Sequence, residues 1–247
     1  MGKKGDAVDG VLLLDKPEGM SSNWALQLSR RLINAQKAGH TGTLDPFATG
    51  LLPLAFGNAT KYSADLLHAD KRYEAVLRFG SATDTMDKTG EVLETSDVRP
   101  TREALEALLP QFTGEIEQMP PMYSAIKRDG KNLYELARRG IEVERHPRKV
   151  TVHRLELKEF DGETAKIDVH VSKGTYIRVL ADDIGRKLNC FAHLESLRRT
   201  EVGNLRIADA IPFAVIDDKN KSVEERRALM KGADFLLQSL GAVHLDA

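Results

Sequence analysis

A loop rich in glycine, threonine and proline surrounds Asp45 and is the first feature of the sequence that could do chemistry. Residues Ala38 to Gly50 contain three glycines, three threonines and one proline, and they follow neither helical nor strand periodicity. Pro46 biases Asp45 towards extended backbone. The loop therefore holds one carboxylate in a rigid setting, where it could do chemistry. The same residues also fit an ordinary Asp-Pro turn, so the loop alone leaves both interpretations open.

A second cluster, Ser172 to Arg178, joins a predicted hairpin to a predicted helix. It offers Lys173, Tyr176 and Arg178 close to a helix N-terminus, where backbone N–H groups attract anions. A plain hairpin-to-helix joint with a surface arginine fits these residues equally well.

Other kinds of catalytic site lack their sequence patterns. The seven histidines form neither an HxxxH nor an HExxH pair, which argues against a catalytic metal. There is no glycine-rich phosphate loop of the Walker or Rossmann type and no GxSxG motif. The single cysteine, Cys190, excludes an intramolecular disulfide.

Hydrophobic periodicity predicts the elements that must position the two clusters. Strands are predicted at 10–14, 51–56 and 72–79, and a hairpin at 150–160 and 164–171 around Asp161-Gly162. Further strands are expected within 193–207. The hairpin and the short connections favour antiparallel pairing, so we predict an α+β fold with a mixed, mainly antiparallel sheet flanked by helices.

Helices are predicted by apolar spacing and by capping residues. Ser21 or Ser22 would cap the first, with Trp24, Leu28 and Leu32 on its apolar face. Further helices are expected at 59–67, at 101–109, at 132–139, at 177–188 and at 222–230.

Composition and charge restrict the class of protein. Of 247 residues, 41% are hydrophobic and 30% charged, which is ordinary for a globular protein. The longest strongly apolar run, Leu51–Phe56, is too short for a membrane span, and no signal peptide is recognisable, so we expect a cytoplasmic protein. Net charge is −1, but nine basic and four acidic residues fall between Lys127 and Arg154. Such a segment suits a phosphate-facing surface or simply a solvated face.

Six segments, in order, resemble the TruB family of tRNA pseudouridine synthases, over about Gly10 to Ile207. Each segment alone is a weak signal, but all of them in sequence are highly specific. They are Asp15-Lys16-Pro17 with Gly19, Ser21 and Ser22; Gly39-His40-Thr41-Gly42-Thr43-Leu44-Asp45-Pro46 with Ala48-Thr49-Gly50; Asp70-Lys71-Arg72-Tyr73; Pro121-Met122-Tyr123-Ser124-Ala125; Lys173-Gly174-Thr175-Tyr176-Ile177-Arg178; and Leu197-Arg198-Arg199.

The resemblance implies conversion of uridine 55 in the T arm of tRNA to pseudouridine, without metal or organic cofactor. It implies the pseudouridine synthase fold, and a tRNA T stem-loop as partner of what we expect to be a monomer. Asp45 would be the nucleophile, attacking C1′ or C6 of the flipped base. Arg178 would be its ion partner, and Tyr73 would stack on the uracil.

The remaining site residues also follow from the resemblance. His40 matches a histidine that interacts with the T loop, and Tyr176 and Leu197 match positions that line the uracil pocket. Lys16 would support the loop or bind a phosphate. On residue type alone, each also fits a plain structural role, in the core or on the surface.

The resemblance also suggests a domain organisation. Residues 1–9 are expected to be a flexible tail, 10–207 a catalytic domain and 208–247 a short extension. Bacterial members of the family usually continue into a PUA domain, which we expect to be incomplete or absent here. Two other functions remain open: an RNA-binding module without chemistry, and a hydrolase that uses Asp45 on another nucleoside.

Overall fold

A computed structural model describes residues 5–124, 127–128, 131–132, 140 and 144–239 of the chain. The chain divides into two compact units, each with its own share of the elements. Met1–Arg72 and Arg198–Ala247 form one, called here the discontinuous unit, and Tyr73–Leu197 form the other, the continuous unit. The unit boundaries fall inside two strands, Lys71–Phe79 and Ala192–Val202.

Strands in the discontinuous unit pair in both directions. Strand β1 (Gly10–Lys16) is antiparallel to β3 (Thr49–Phe56) and parallel to β14 (Ile211–Pro212). Strand β2 (Ala38–His40) is antiparallel to β3, and β12 (Ala192–Val202) is parallel to β3. The predicted strands at 10–14 and 51–56 are confirmed, and their apolar residues are buried on both faces, as continuous apolar runs require.

Helix α1 (Ser22–Leu32) corrects the predicted helix face. Trp24 is 55% exposed, and the buried residues are Ser22, Ala25, Leu26 and Ser29. Small side chains at this spacing pack a helix closely against its neighbours, and serine does not register as apolar. The cap is Ser21, whose hydroxyl accepts a hydrogen bond from the Trp24 N–H at 3.1 Å.

The rest of the discontinuous unit consists of short elements around a small core. A 3-10 turn (Gly57–Tyr62) leads into α2 (Ser63–His68), where one helix was predicted. The later described elements include β13 (Leu205–Arg206), a 3-10 turn (Ile207–Asp209), α5 (Phe213–Ile216), α6 (Val223–Arg227) and α7 (Asp234–Ser239). The core cluster contains Val11, Leu13, Leu51, Ala55, Ala59, Leu66, Val202, Leu205 and Leu236.

The continuous unit contains the predicted hairpin. Strands β10 (Arg148–Phe160) and β11 (Thr164–Val171) are antiparallel, and β7 (Gly114–Gln118) is antiparallel to β10. Strand β4 (Lys71–Phe79) lies next to β11 and alternates as predicted between buried and more exposed side chains. Its Phe79 ring meets the Phe160 ring edge-on, with centroids 6.3 Å apart.

The described residues of this unit also contain two further strand pairs and two α-helices. The pairs are β5 (Ser81–Thr83) with β6 (Val92–Thr95) and β8 (Lys127–Arg128) with β9 (Lys131–Asn132). The α-helices are α3 (Arg102–Leu108), capped as predicted by Thr101 and followed by a 3-10 turn (Leu109–Phe112), and α4 (Ile177–Lys187). The helix predicted at 132–139 lies almost entirely outside the described residues. The α+β class and the mixed sheet are confirmed.

Candidate active site

The residue before Asp45 is bound by a buried serine. The Ser22 hydroxyl accepts a hydrogen bond from the Leu44 N–H and donates one to the Leu44 carbonyl, both at 2.8 Å. Because Ser22 is the first residue of α1, this contact joins the helix to the loop. The backbone on the N-terminal side of Asp45 is therefore fixed.

The residue after Asp45 is bound by the chain that follows β1. The Gly19 N–H donates to the Pro46 carbonyl at 2.7 Å. Lys16, which is 0% exposed, directs its Nζ to the carbonyls of Met20 at 2.7 Å, Pro17 at 2.8 Å and Pro46 at 3.4 Å. Of the two roles expected for Lys16, support of the loop fits these contacts better than phosphate binding.

A buried arginine binds the beginning of the loop and the strand that follows it. Arg199 donates from Nε to the Leu51 carbonyl at 2.8 Å and from Nη2 to the Gly42 carbonyl at 3.2 Å. Gly50 pairs with Arg199 and has φ +108, where a Cβ atom would lie 2.3 Å from the Arg199 carbonyl oxygen. Only glycine fits at this position.

Asp45 itself is partly exposed on this fixed backbone. Its carbonyl accepts the Ala48 N–H at 3.0 Å, which closes the turn. Burial lowers the pKa of Lys16 to about 8 and Arg199 adds to the effect, while the Asp45 carboxylate opposes it. The Asp45 carboxylate therefore lies in the field of a buried cation.

His40 ends strand β2 in the same unit. Burial lowers its pKa, and the nearby Arg199 guanidinium lowers it further, so the ring is neutral at pH 7. Its Nδ1 atom is buried and has no hydrogen-bond partner among the described residues.

In the continuous unit, Arg178 is 4% exposed and fixed by two carbonyls. Nη1 donates to Thr85 at 3.0 Å and Nη2 to Tyr123 at 2.8 Å. Arg178 lies in the first turn of α4, whose N-cap is Tyr176. Both backbone groups of Tyr176 bind the Gln118 side chain, N–H to Oε1 at 3.0 Å and carbonyl to Nε2 at 3.2 Å.

Sequence reasoning missed Asp87, which orders the turn that receives Arg178. Its Oδ1 accepts from the Thr85 hydroxyl at 2.9 Å and from the Thr89 N–H at 2.8 Å. The spacing Thr85-x-Asp87-x-Thr89 is a signal for a side-chain-bonded turn and could have been recognised.

The other two predicted site residues are buried on strands of the continuous unit. Tyr73 lies on β4 and Leu197 on β12. The structure thus brings Lys16, His40 and Asp45 together in one unit. The pairing of Asp45 with Arg178 stays a prediction.

Within the part of the chain that the structure describes, no three His, Cys, Asp or Glu side chains are grouped as metal ligands would be. No helix in those ranges has the length and apolar character needed to cross a bilayer.

Solved structures resemble this α+β arrangement. One is a crystal structure of a Cbf5-Nop10-Gar1 complex, with a TM-score of 0.70 and 28% identity over 93% of this chain and 62% of that one. Another is an H/ACA RNP bound to a substrate RNA containing 2′-deoxyuridine, with a TM-score of 0.68 and 25% identity over 93% of this chain and 61% of that one. Both similarities extend over nearly the whole chain and support the α+β fold.

Sequence comparison identifies the family. Residues 30–177 match the TruB family pseudouridylate synthase N-terminal domain, and residues 178–238 match the tRNA pseudouridylate synthase B C-terminal domain. The tRNA pseudouridine synthase B of Dechloromonas aromatica is 55% identical over 97% of this chain and 79% of its own length. That of an Azoarcus species is 56% identical over the same shares. The chain belongs to the TruB family of pseudouridylate synthases, as its motifs had indicated.

Proposed function

We propose that this pseudouridine synthase isomerises uridine 55 in the T arm of tRNA, with Asp45 as the nucleophile. The relatives named tRNA pseudouridine synthase B support tRNA as the substrate. The observation that best supports this role for Asp45 is the structure of the loop around it. Its carboxylate is partly exposed, while Ser22 and Gly19 bind the residues on either side of it.

The chemistry requires a nucleophile and a base that has left its stack. The N1–C1′ bond breaks, the uracil turns and C5 bonds to C1′. C5 then loses its proton and N1 takes up one, so the product is an isomer of the substrate. The target atoms are inaccessible in a stacked base, so the uridine must flip out first. Asp45 attacks either C1′ or C6 and leaves when the new bond is complete.

Arg178 and Tyr73 would assist Asp45. A guanidinium fixed by two carbonyls suits the role of holding a carboxylate ionised and correctly directed. The Tyr73 ring would stack on the flipped uracil. Its phenol would accept the C5 proton with help from its surroundings, because an ordinary tyrosine is a poor base at pH 7.

His40, Tyr176 and Leu197 would bind the RNA and the base. A neutral imidazole is planar and polar and can fill the space that the extruded uridine leaves. Leu197 would exclude water from the uracil pocket, and Tyr176 would line it.

The proposal also includes the domain bounds, the oligomeric state and the cellular location of the protein. Residues 10–207 would form the catalytic domain, between a short tail and residues 208–247. The protein would act as a monomer in the cytoplasm, and sedimentation of the protein with and without tRNA tests the oligomeric state.

The decisive experiment uses tRNA labelled with tritium at C5 of uracil. We expect release of label from the parent RNA and none from an RNA with cytidine at position 55. Binding without release would favour an RNA-binding module, and appearance of free uracil would favour a hydrolase. Release from the cytidine-55 RNA would contradict the assigned position.

A further inference from the structure

We propose that Ser22 is a positioning residue that sets the place of Asp45 through the backbone of Leu44. This inference rests on the proposed role of Asp45 as the nucleophile. Ser22 does not cap α1, since Ser21 does so. Its hydroxyl is therefore available for the loop.

The Ser22 hydroxyl acts as both donor and acceptor towards Leu44. Ser22 is 1% exposed and Leu44 is 3% exposed, so water cannot substitute for either partner without opening the packing. The oxygen accepts from the Leu44 N–H, and its proton goes to the Leu44 carbonyl, both at 2.8 Å. One side chain thus satisfies both polar backbone groups of the residue that precedes Asp45.

The other side of Asp45 is bound independently. The Pro46 carbonyl accepts from the Gly19 N–H at 2.7 Å, and the Asp45 carbonyl accepts from the Ala48 N–H at 3.0 Å. Loss of the Ser22 hydroxyl would therefore release only Leu44, because Arg199 still binds Gly42. The loop would remain attached, but Asp45 would no longer have a single position.

Displacement of a nucleophile is costly even when it is small. A shift of about 1 Å can lower the rate of a reaction about 100-fold, because attack needs close, aligned approach. We therefore expect the bond-making step to suffer more than RNA binding.

Helix α1 offers matched controls for Ser22→Ala. Ser29 is fully buried, and its hydroxyl has no partner among the described residues, so Ser29→Ala removes a buried hydroxyl without breaking a bond. Ser21→Ala removes the helix cap and leaves the loop contact intact. The three variants separate loop position, buried volume and helix stability.

The measurements are the single-turnover rate of tritium release at saturating enzyme, the Kd for the same RNA and the thermal midpoint. Ser22→Ala should lose about 10- to 100-fold in rate, with Kd within about threefold of the parent.

Ser29→Ala should keep the parent rate within about twofold. Ser21→Ala should lower the midpoint but keep the rate at the same level. Should Ser22→Ala not fold, Ser22→Cys keeps the shape of the side chain with a larger atom that is a weaker hydrogen-bonding group, and its rate should fall below that of Ser29→Ala.

Equal rates for folded Ser22→Ala and Ser29→Ala, or for Ser22→Cys and Ser29→Ala, would overturn the proposal. A parallel change in rate and Kd would also overturn it, because that would show general loss of the site. Asp45→Asn in the same assay keeps the two proposals apart. If Asp45→Asn is active, the nucleophile is wrong. If it is inactive while Ser22→Ala is unimpaired, only the positioning role fails.

Discussion

The Asp45 loop and the Arg178 segment are immobilised in opposite ways. In the discontinuous unit, buried polar side chains bind the backbone of the loop, and the Asp45 side chain stays partly exposed. In the continuous unit, Arg178 itself is buried, and carbonyls bind its side chain. The difference suits the proposed roles. A nucleophile must approach and leave its carbon, whereas a cation that directs it works best when rigid.

Both arrangements bury cations, and both face the same cost of removing a charge from water. The loop needs buried cations, Lys16 and Arg199, and burying a charge is favourable only when its donors find good acceptors. The backbone carbonyls of the loop and its neighbours supply these acceptors. Arg178 meets the same requirement through Thr85 and Tyr123. Changing any of these three cations should therefore affect the position of the groups it binds as well as the local charge.

Among variants that keep Asp45 itself, the largest effect is expected for Arg178, on the rigid side of the comparison. Arg178→Lys keeps the charge but cannot reach both carbonyls in the plane of a guanidinium, so the rate should fall about 100-fold. Single-turnover tritium release measures it. Arg186→Lys is the matched control on the same helix, since Arg186 is exposed and paired with Asp182 and Glu94. A rate for Arg178→Lys within twofold of the parent would show that rigidity is unimportant here.

An intermediate effect is expected from the titration of Lys16. Its pKa in the folded protein, about 8, lies below the ordinary value of 10.5. Above pH 8 the folded state therefore binds fewer protons than the unfolded state, so this group makes stability rise with pH up to about 10.5. The charge near Asp45 is lost in the same window, and the rate should fall about tenfold.

The pH profile of the single-turnover rate, with unfolding measured in parallel, tests this expectation. Lys16→Met should be slower than the parent and should lack the decline near pH 8. If the decline persists in Lys16→Met, another group causes it.

The smallest effect concerns Asp183, on the helix that carries Arg178. Burial raises the pKa of Asp183 to about 6, with Asp182 adding to the rise and Arg186 and Lys187 opposing it. The folded state keeps the Asp183 proton up to about pH 6, whereas the unfolded state loses it near pH 4. The contribution of Asp183 to the free energy of unfolding therefore decreases as pH rises from about 4 to 6. Asp183→Asn should raise the free energy of unfolding at pH 7 by about 1 kcal/mol and leave the rate unchanged.

Urea unfolding at pH 4 and pH 7 measures this gain, which should be absent at pH 4. A changed rate in Asp183→Asn would contradict this expectation, because it would show that a change in the stability of α4 also changes the function of Arg178.

Strands were predictable because their pattern is local. Alternation along 72–79 and 164–171 and the Asp161-Gly162 turn correctly gave β4 and the β10–β11 hairpin. The face of α1 was not predictable in this way. Ser22 and Ser29 are buried there because they are small, and Trp24 is exposed although it is the largest residue of the predicted stripe.

The Asp45 loop was recognisable from its glycines, threonines and proline, but the side chains that fix it were not. Ser22 binds a residue 22 positions away, and Arg199 binds Gly42, which is 157 positions away. Such contacts depend on the folded chain and leave no local pattern. The order of the family-like segments identified the family, but it did not assign the contacts of Ser22 or Arg199.

The central claim is that the Asp45 carboxylate attacks the uridine. Single-turnover tritium release from one tRNA preparation, compared for Asp45→Asn and Asp209→Asn, tests it most directly, because Asp209 is an exposed carboxylate elsewhere in the discontinuous unit. We predict at least about a 1,000-fold loss for Asp45→Asn with RNA binding retained, and a rate within about twofold of the parent for Asp209→Asn. Release by Asp45→Asn within tenfold of the parent would contradict the account.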